Sequence, residues 1–303
     1  MECAGAVAFV ALHAVLRGRS FGGLRIWPYE SEEEALLDAL ALSRAMTRKV
    51  VLAGIEAGGA KAVLIAPRTH RAAALRALGE FVESLAGRFN TGPDMGYTAD
   101  DDRALREATR YVACGDFGDA TARGVRIAMR AVVSEPRRVA VQGLGAVGRR
   151  LAELLLEDGV HVVGSDFRPV SLPGVELTDP DRVHATDCEV FAPCARGGVL
   201  GPATIPELRC EVVCGAANNP LLTAEDADRL LARGVTLVPD FVANAGAVIQ
   251  GASTVLGEAD RIPERMAAIA DLTRTVVSRA RHAGRSPLEV AAELADARTA
   301  ALR

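Results

Sequence analysis

Lysine is almost missing from this chain. Of its 35 basic residues only Lys49 and Lys61 are lysines; the other 33 are arginines. Arginine can stand in wherever only a positive charge is needed, but not where an amine must lose its proton or a compact ammonium must fit. A drift toward arginine would spare lysines of that kind, so these two, twelve residues apart, are the first functional suspects. An excess of charge of one sign is also lacking. The net charge of −4 forces no basic face, so no nucleic-acid partner is expected. No apolar run approaches the roughly 18 residues of a membrane span. The run from Ala4 to Leu16 has no basic flank and is interrupted by His13, so it reads as a strand rather than a signal peptide. A cytoplasmic protein with no membrane contact is the expectation. The six cysteines, at 3, 114, 188, 194, 210 and 214, fit no zinc spacing. They read as reduced core thiols, with no metal site.

What is present suits two domains, since the chain has 303 residues and half are hydrophobic. After the first strand, Gly22 and Gly23 punctuate and LRIWPY continues extended. Ser31 and Glu34 form an S-x-x-E capping box. The helix they open carries Leu36, Ala39 and Leu40 as an apolar stripe and should end near Met46, where a β-branched run approaches. AGIEAGGAK reads as a glycine-rich turn and AVLIAP as a buried strand stopped by Pro67. Helices are expected over about 70–88, 100–111 and 120–133. The texture then changes. RRVAVQGLGAVGRRLAELLLEDGVHVVGSD reads as strand, turn, helix, strand. CEVFAPCA, EVVCGAAN and VTLVPDFVAN read as further short strands, with a helix near Thr223 between the last two. Such alternation implies a parallel sheet. The tail after Ile262 is helical, and a domain boundary falls near residue 120.

Gly143, Gly145 and Gly148 form G-x-G-x-x-G between the strand Val139–Val141 and a helix. In that setting the first glycine permits a tight turn, the second lets a pyrophosphate approach, and the third lets helix pack on strand. The helix N-terminus then offers free N–H groups to the phosphates. Asp166 closes the next strand, where an acid accepts from a ribose 2′-hydroxyl and repels a 2′-phosphate. NAD is therefore expected over NADP, although Arg168 two residues on weakens that preference.

Several segments together resemble one family, the Glu/Leu/Phe/Val amino acid dehydrogenases, and its leucine and phenylalanine branch in particular. They are GGLRIWPYESEEEALLDALALSRAMTRK, AGIEAGGAK, TGPDMG, DATARGV, VAVQGLGAVG, EVFAPCARGG, CGAANNPL and PDFVANAGAVI, in family order. The resemblance implies an α/β fold of two domains with a cleft between them. A mixed α/β substrate and oligomerisation domain would span 1–120, completed by the helices of 262–303. A Rossmann-type, doubly wound NAD domain would span 121–261. It also implies site residues. Lys49, in M-T-x-K, would bind the substrate carboxylate. Lys61, in GGAK, would activate the water that attacks the imine, and Asp94 would handle protons at the substrate nitrogen. Gly22, Gly23, Gly92, Asn219, Val248 and Gly251 would surround the substrate. Thr121 would contact the nicotinamide amide and Asn244 would sit beside its ribose. Gly143, Gly145, Ala146, Val147, Gly148, Asp166, Cys194, Ala195, Ala217 and Asn218 would complete the cofactor site. The segments before the first strand, after Tyr111 and after Asp166 are short for the family, which implies a trimmed member; the resemblance implies a homodimer or higher homo-oligomer, and the trimming leaves the subunit number open.

The chemistry asks for these residue types on its own account. A hydride leaves an amino acid Cα only if a proton also leaves nitrogen, and a water must then be deprotonated to attack the imine. A lysine near another cation in a closed site can serve as that base; an arginine there would stay protonated. Asp94 follows Pro93 in a tight turn that fixes its carboxylate. Glycine at 92 and 251, with Phe21 and Val248 as further walls, suggests a roomy pocket and an aromatic substrate, phenylalanine or tryptophan. Leucine or valine is the alternative. Glutamate is not expected, since only Arg25 or Arg48 could meet a side-chain carboxylate. Other readings are a catalytically silent nucleotide-binding member, and a reductase acting on a different substrate class.

Overall fold

The computed structural model describes residues 1–67 and 69–303. The chain divides into two compact units. The first holds 1–115, 251–260 and 295–303; the second holds 116–250 and 261–294. The tail thus divides differently from the expected assignment of all of 262–303 to the first domain.

In the first unit the elements are β1 (Glu2–Cys3), β2 (Ala6–Leu12), β3 (Ser20–Phe21), β4 (Leu24–Trp27), α1 (Glu32–Leu52), β5 (Gly58–Ile65), α2 (Arg71–Ser84) and α3 (Ala99–Arg106). The five strands make one mixed sheet around β5, which runs antiparallel to β2 and parallel to β3 and β4. One hydrophobic cluster joins Leu24, Leu64, Leu75, Leu78, Phe89 and Leu105, combining sheet residues with α2 and α3. A second joins α1 to the sheet through Ala11, Ala35, Ala39 and Val63. Every residue of β5 from Gly58 to Leu64 is buried.

Two local expectations fail here for physical reasons. The helix α1 does not stop near Met46 but runs to Leu52, capped at its start by Ser31 accepting from the Glu34 N–H. Val50, Val51 and Leu52 are all buried, so packing outweighs the modest helix aversion of β-branched residues. Lys49 therefore lies in the last helical turn, where a cation complements the helix dipole. The stretch read as a glycine-rich turn is partly strand: β5 already begins at Gly58, so Lys61 stands in mid-strand opposite Ala11.

The second unit begins with α4 (Phe117–Val132), β6 (Arg138–Gln142), α5 (Ala146–Glu157), β7 (His161–Ser165), β8 (Val175–Leu177), β9 (Val190–Pro193), β10 (Val212–Val213), α6 (Asp226–Ala232), β11 (Thr236–Leu237) and α7 (Asp240–Ala243). Then come α8 (Gly246–Val255), α9 (Ile262–Ala283) and α10 (Pro287–Leu302); α8 and α10 each have residues in both units. The six strands are parallel in the order β11-β10-β9-β6-β7-β8. That is the doubly wound order, reversing between β6 and β9, where such folds bind nucleotides. VTLVPDFVAN is not one strand: it pairs only at Thr236–Leu237, and Asn244 ends the short helix α7. The helix α9 packs against α4 and α7, which is why it belongs wholly to this unit. Among the described residues no helix is long and apolar enough to cross a membrane. Cys3, Cys188, Cys210 and Cys214 are buried as expected of core thiols, Cys194 is half-buried, and Cys114 is exposed.

Candidate active site

The site residues read from the sequence fall in both units: Gly22, Gly23, Lys49, Lys61, Gly92, Asp94 and Gly251 in the first, Asn219, Val248 and the cofactor residues in the second. In the first, β3 and β4 pair with β5 on either side of Gly22–Gly23, opposite Ala60 and Lys61. A Cβ on Gly22 would fall 1.8 Å from the Ala60 carbonyl oxygen. A Cβ on Gly23 would fall 3.0 Å from Asp94 Cβ and 3.3 Å from Lys61 Nζ. Both glycines are thus needed for close approach of backbone and side chains. On the outer side of this edge, Leu24 N–H donates to the Gly92 carbonyl at 2.8 Å and Ile26 N–H to that of Met95 at 2.9 Å. These bonds lace residues 92–95 to the sheet. Tyr97 N–H donates to the Asp94 carbonyl at 3.1 Å, closing the turn anticipated after Pro93.

The lacing brings Asp94 to Lys61, with Oδ2 2.9 Å from Nζ. The Lys61 side chain is only 5 % exposed. Burial would raise the pKa of Asp94, but the Lys61 ammonium and the Arg25 guanidinium hold it well below the usual carboxylate range. Arg25 is itself committed. Its Nε donates to Asp94 and its Nη1 to Asp38, each at 3.0 Å, so it is not free to greet a substrate's side-chain carboxylate. Arg48 faces Asp296 at 3.8 Å, in a second cavity that also includes His13 and Arg44.

Lys49 lies near the end of α1, whose segment Met46–Thr47 is pressed so closely on β5 that a Cβ on Gly59 would meet Thr47 N at 1.9 Å. Gly59 N–H also donates to Thr47 Oγ1 at 3.1 Å. Thr47 was not singled out in the sequence, yet it ties the helix of Lys49 to the strand of Lys61. At Gly92 an added Cβ would meet nothing nearer than Ala113 Cβ at 3.5 Å, an ordinary contact. Phe21 is buried in the sheet, and Val248 and Gly251 lie one turn apart on α8.

The second cluster gathers at the C-terminal ends of β6, β9 and β10. Gly143 has φ +88°, and its Cβ would lie 2.7 Å from Ala195 Cβ. A Cβ on Gly148 would strike the Gly143 carbonyl oxygen at 1.9 Å and approach Cys194 Cβ at 3.1 Å. Gly145 differs: it caps α5 with no side-chain bond, and its nearest neighbour would be Arg168 Nη2 at 3.8 Å. The helix that starts at Ala146 and Val147 thus presents uncapped N–H groups beside an open glycine, a fit for a pyrophosphate. Asp166 accepts from Leu144 N–H at 3.0 Å through Oδ2 and from Arg168 N–H at 2.9 Å through Oδ1. The Arg168 bond is the main cause that keeps its carboxyl ionised, and Asp166 shapes the glycine loop as well as facing it.

Ala217 N–H donates to the Pro193 carbonyl at 2.9 Å. Asn244 is 4 % exposed and donates through Nδ2 to Ala216 O at 3.0 Å and Asn218 Oδ1 at 2.9 Å. Its own Oδ1 is buried with no partner among the described residues. A buried acceptor left open is costly unless a ligand donor meets it. Thr121 spends its hydroxyl proton on the Phe117 carbonyl at 2.7 Å and keeps its lone pairs. Asn219 has φ +49°, and its N–H donates to Asp240 Oδ2 at 3.0 Å. Asp240 went unnoticed in the sequence because it looked like part of a strand. Burial pushes the Cys194 thiol up to about 12.

Comparison with known proteins agrees with this geometry. Residues 2–111 match the model of the Glu/Leu/Phe/Val dehydrogenase dimerisation domain, and residues 169–300 match that of the Glutamate/Leucine/Phenylalanine/Valine dehydrogenases. Leucine dehydrogenase of Thermoactinomyces intermedius is 39 % identical over 277 residues, covering 84 % of this chain and 76 % of that one. Phenylalanine dehydrogenase of Caldalkalibacillus thermarum is 40 % identical over 282 residues, covering 84 % and 76 %. The solved structure of L-tryptophan dehydrogenase from Nostoc punctiforme superposes with a TM-score of 0.85 at 36 % identity, covering 98 % of this chain and 92 % of that one. On both counts, motif geometry in each unit and similarity along the chain, this protein belongs to the glutamate/leucine/phenylalanine/valine dehydrogenase family.

Proposed function

We propose that this protein is an NAD-dependent L-amino acid dehydrogenase, converting an apolar amino acid to its 2-oxo acid and ammonia. The observation that carries the proposal is the ion pair of Lys61 with Asp94, set in a buried strand behind Gly23. A charged pair so placed costs desolvation and is kept where chemistry uses it. Lys49 takes the role of carboxylate anchor. Asp94 accepts a proton from the substrate nitrogen while hydride leaves Cα, giving the imine. Lys61, its own proton first released to solvent, takes a proton from water as the oxygen attacks the imine carbon. Proton transfer to nitrogen and loss of ammonia then leave the 2-oxo acid. Bound nicotinamide supplies the hydride acceptor.

For the cofactor, Gly143, Gly145 and Gly148 with the α5 N-terminus suit a pyrophosphate, and the Asn244 Oδ1 and Thr121 oxygens suit donors of the nicotinamide half. Asp166 supports NAD over NADP, with Arg168 beside it as the residue that limits the preference. Glycine at both 92 and 251 favours a large substrate, phenylalanine or tryptophan, over leucine or valine. The alternative of a silent nucleotide-binding member does not explain why both lysines and Asp94 remain. Self-association is supported by the dimerisation-domain match and by exposed Trp27, Leu36, Leu37 and Leu40 in the first unit. Six free cysteines suit a reducing, cytoplasmic setting.

The test is reduction of NAD and of NADP, followed by absorbance, with each of the twenty amino acids. We expect the highest kcat/KM with NAD and phenylalanine or tryptophan. Leucine far ahead of both would overturn the aromatic reading, and preference for NADP would overturn the role of Asp166.

A further inference from the structure

Asp94 is not held by Lys61 alone. Arg25 donates through Nε to Asp94 Oδ2 and through Nη1 to Asp38 Oδ2, each at 3.0 Å. Tyr29 donates its hydroxyl to the same Asp38 oxygen. Lys61, Asp94, Arg25, Asp38 and Tyr29 therefore form one continuous chain of bonds. Its outer members, Asp38 and Tyr29, line a cavity of about 470 Å³ together with Trp27, Leu37 and Met95. Three separately built elements meet at the Arg25 guanidinium: β4 beneath it, α1 with Asp38, and the turn of Asp94.

The geometry is selective. The bonds from Lys61 Nζ and Arg25 Nε both fall on Asp94 Oδ2, so two donors fix one oxygen and thereby the direction of the other. A rigid fork holds two carboxylates in fixed directions, as Arg25 does; an ammonium on a flexible stem can reach two but fixes the direction of neither. Asp38 has a matching duty. It occupies the far arm of Arg25, which would otherwise be free to turn toward any anion near Asp94. The Arg25 side chain is 14 % exposed, against 27 % for Asp38 and 21 % for Asp94, so the guanidinium is more enclosed than either carboxylate it holds.

We infer that Arg25, anchored by Asp38 and Tyr29, is the positioning residue of the dehydrogenation, aiming the Asp94 carboxylate at Lys61 and at the substrate nitrogen. The inference rests on the proposed roles of Lys61 and Asp94. Arg25 touches no reacting atom; it acts through Asp94. Its removal should cost turnover and leave amino acid KM and nucleotide affinity nearly as they are. It should also move the acid edge of the pH–kcat profile upward, since Arg25 is one of the two cations that depress Asp94.

The experiment is a double-mutant cycle of Arg25→Gln with Asp94→Asn, joined by Arg25→Lys, Asp38→Asn and Tyr29→Phe. Each is checked for folding by circular dichroism. We expect kcat to fall about 100-fold for Arg25→Gln, about 10-fold for Arg25→Lys and Asp38→Asn, and about 3-fold for Tyr29→Phe. The double variant should be no slower than Asp94→Asn, because both changes disable one unit. Exogenous guanidinium should partly rescue Arg25→Gln, with sodium chloride inert. If Arg25→Gln does not fold, the kcat and pH profile of Asp38→Asn decide in its place. Near-native kcat in the Arg25 and Asp38 variants, or losses that simply add to that of Asp94→Asn, would overturn the inference. Full activity in Asp94→Asn itself would instead strike the functional reading beneath it.

Discussion

The two units solve the problem of a reactive site in opposite ways. In the first, side chains answer one another in series: Lys61 by Asp94, Asp94 by Arg25, Arg25 by Asp38. In the second, the cradle is built from backbone and glycine, and its polar groups are left open. The α5 N-terminus has no side-chain cap, Gly145 has free space, and Asn244 Oδ1 is buried without a partner among the described residues. A proton-transfer site must hold charges in low dielectric before substrate arrives, so it pairs them internally. A dinucleotide brings its own charge and donors, so its cradle can leave acceptors and N–H groups unpaired until the ligand fills them.

That contrast can be broken or sharpened by mutation. Asp94→Asn should have the largest effect, lowering kcat by about 10³-fold while nucleotide affinity, measured by fluorescence titration, is unchanged. Loss of nucleotide binding in this variant would mean that the two sites are not separately built. Gly148→Ala and Gly145→Ala come next and should separate two kinds of glycine. The first places a Cβ 1.9 Å from a carbonyl oxygen and should lower thermal stability by about 2–4 kcal/mol. The second meets nothing within 3.8 Å, so it should leave the melting temperature alone and weaken NAD binding about tenfold. Equal destabilisation by both would remove the distinction. The smallest effect concerns pH. Asp94 has a folded-state pKa far below its unfolded value, so its contribution to stability is fully present above about pH 4 and fades as pH falls toward the folded value. In Asp94→Asn, stability should vary less steeply with pH below about 4, read from urea midpoints across that range. An unchanged slope would mean that the Lys61 and Arg25 pairs contribute nothing to folding.

The same contrast explains what could be read from the sequence. The nucleotide loop is local: Gly143, Gly145, Gly148 and Asp166 lie within one strand–helix–strand run, and their spacing carries their meaning. Lys61 stood out through arginine drift. The fold class followed from alternating strands and helices, and the six-stranded parallel sheet has the expected doubly wound order. The side-chain chain behind Asp94 was out of reach. Arg25 and Asp94 are 69 positions apart, and only the register of β4 on β5, with residues 92–95 laced beyond it, brings them together. The end of α1 was misplaced for a related reason, since Val50 and Val51 are held helical by burial. Asn244 and Asp240 were read as strand because the apolar run ValThrLeuValPro continues into a four-residue helix that pattern alone does not announce.

The central proposal is that Lys61 and Asp94 perform amino acid chemistry and that a separately built site binds the nucleotide. The most direct measurement is reduction of NAD by phenylalanine, tryptophan and leucine in native protein and in Lys61→Ala, with NADH binding titrated in both. The account predicts turnover in the native protein, a loss of about 10³-fold or more in Lys61→Ala, and equal NADH affinity in the two. Retention of more than a few per cent of activity by Lys61→Ala, or no reduction of NAD by any of the three amino acids in the native protein, would contradict it.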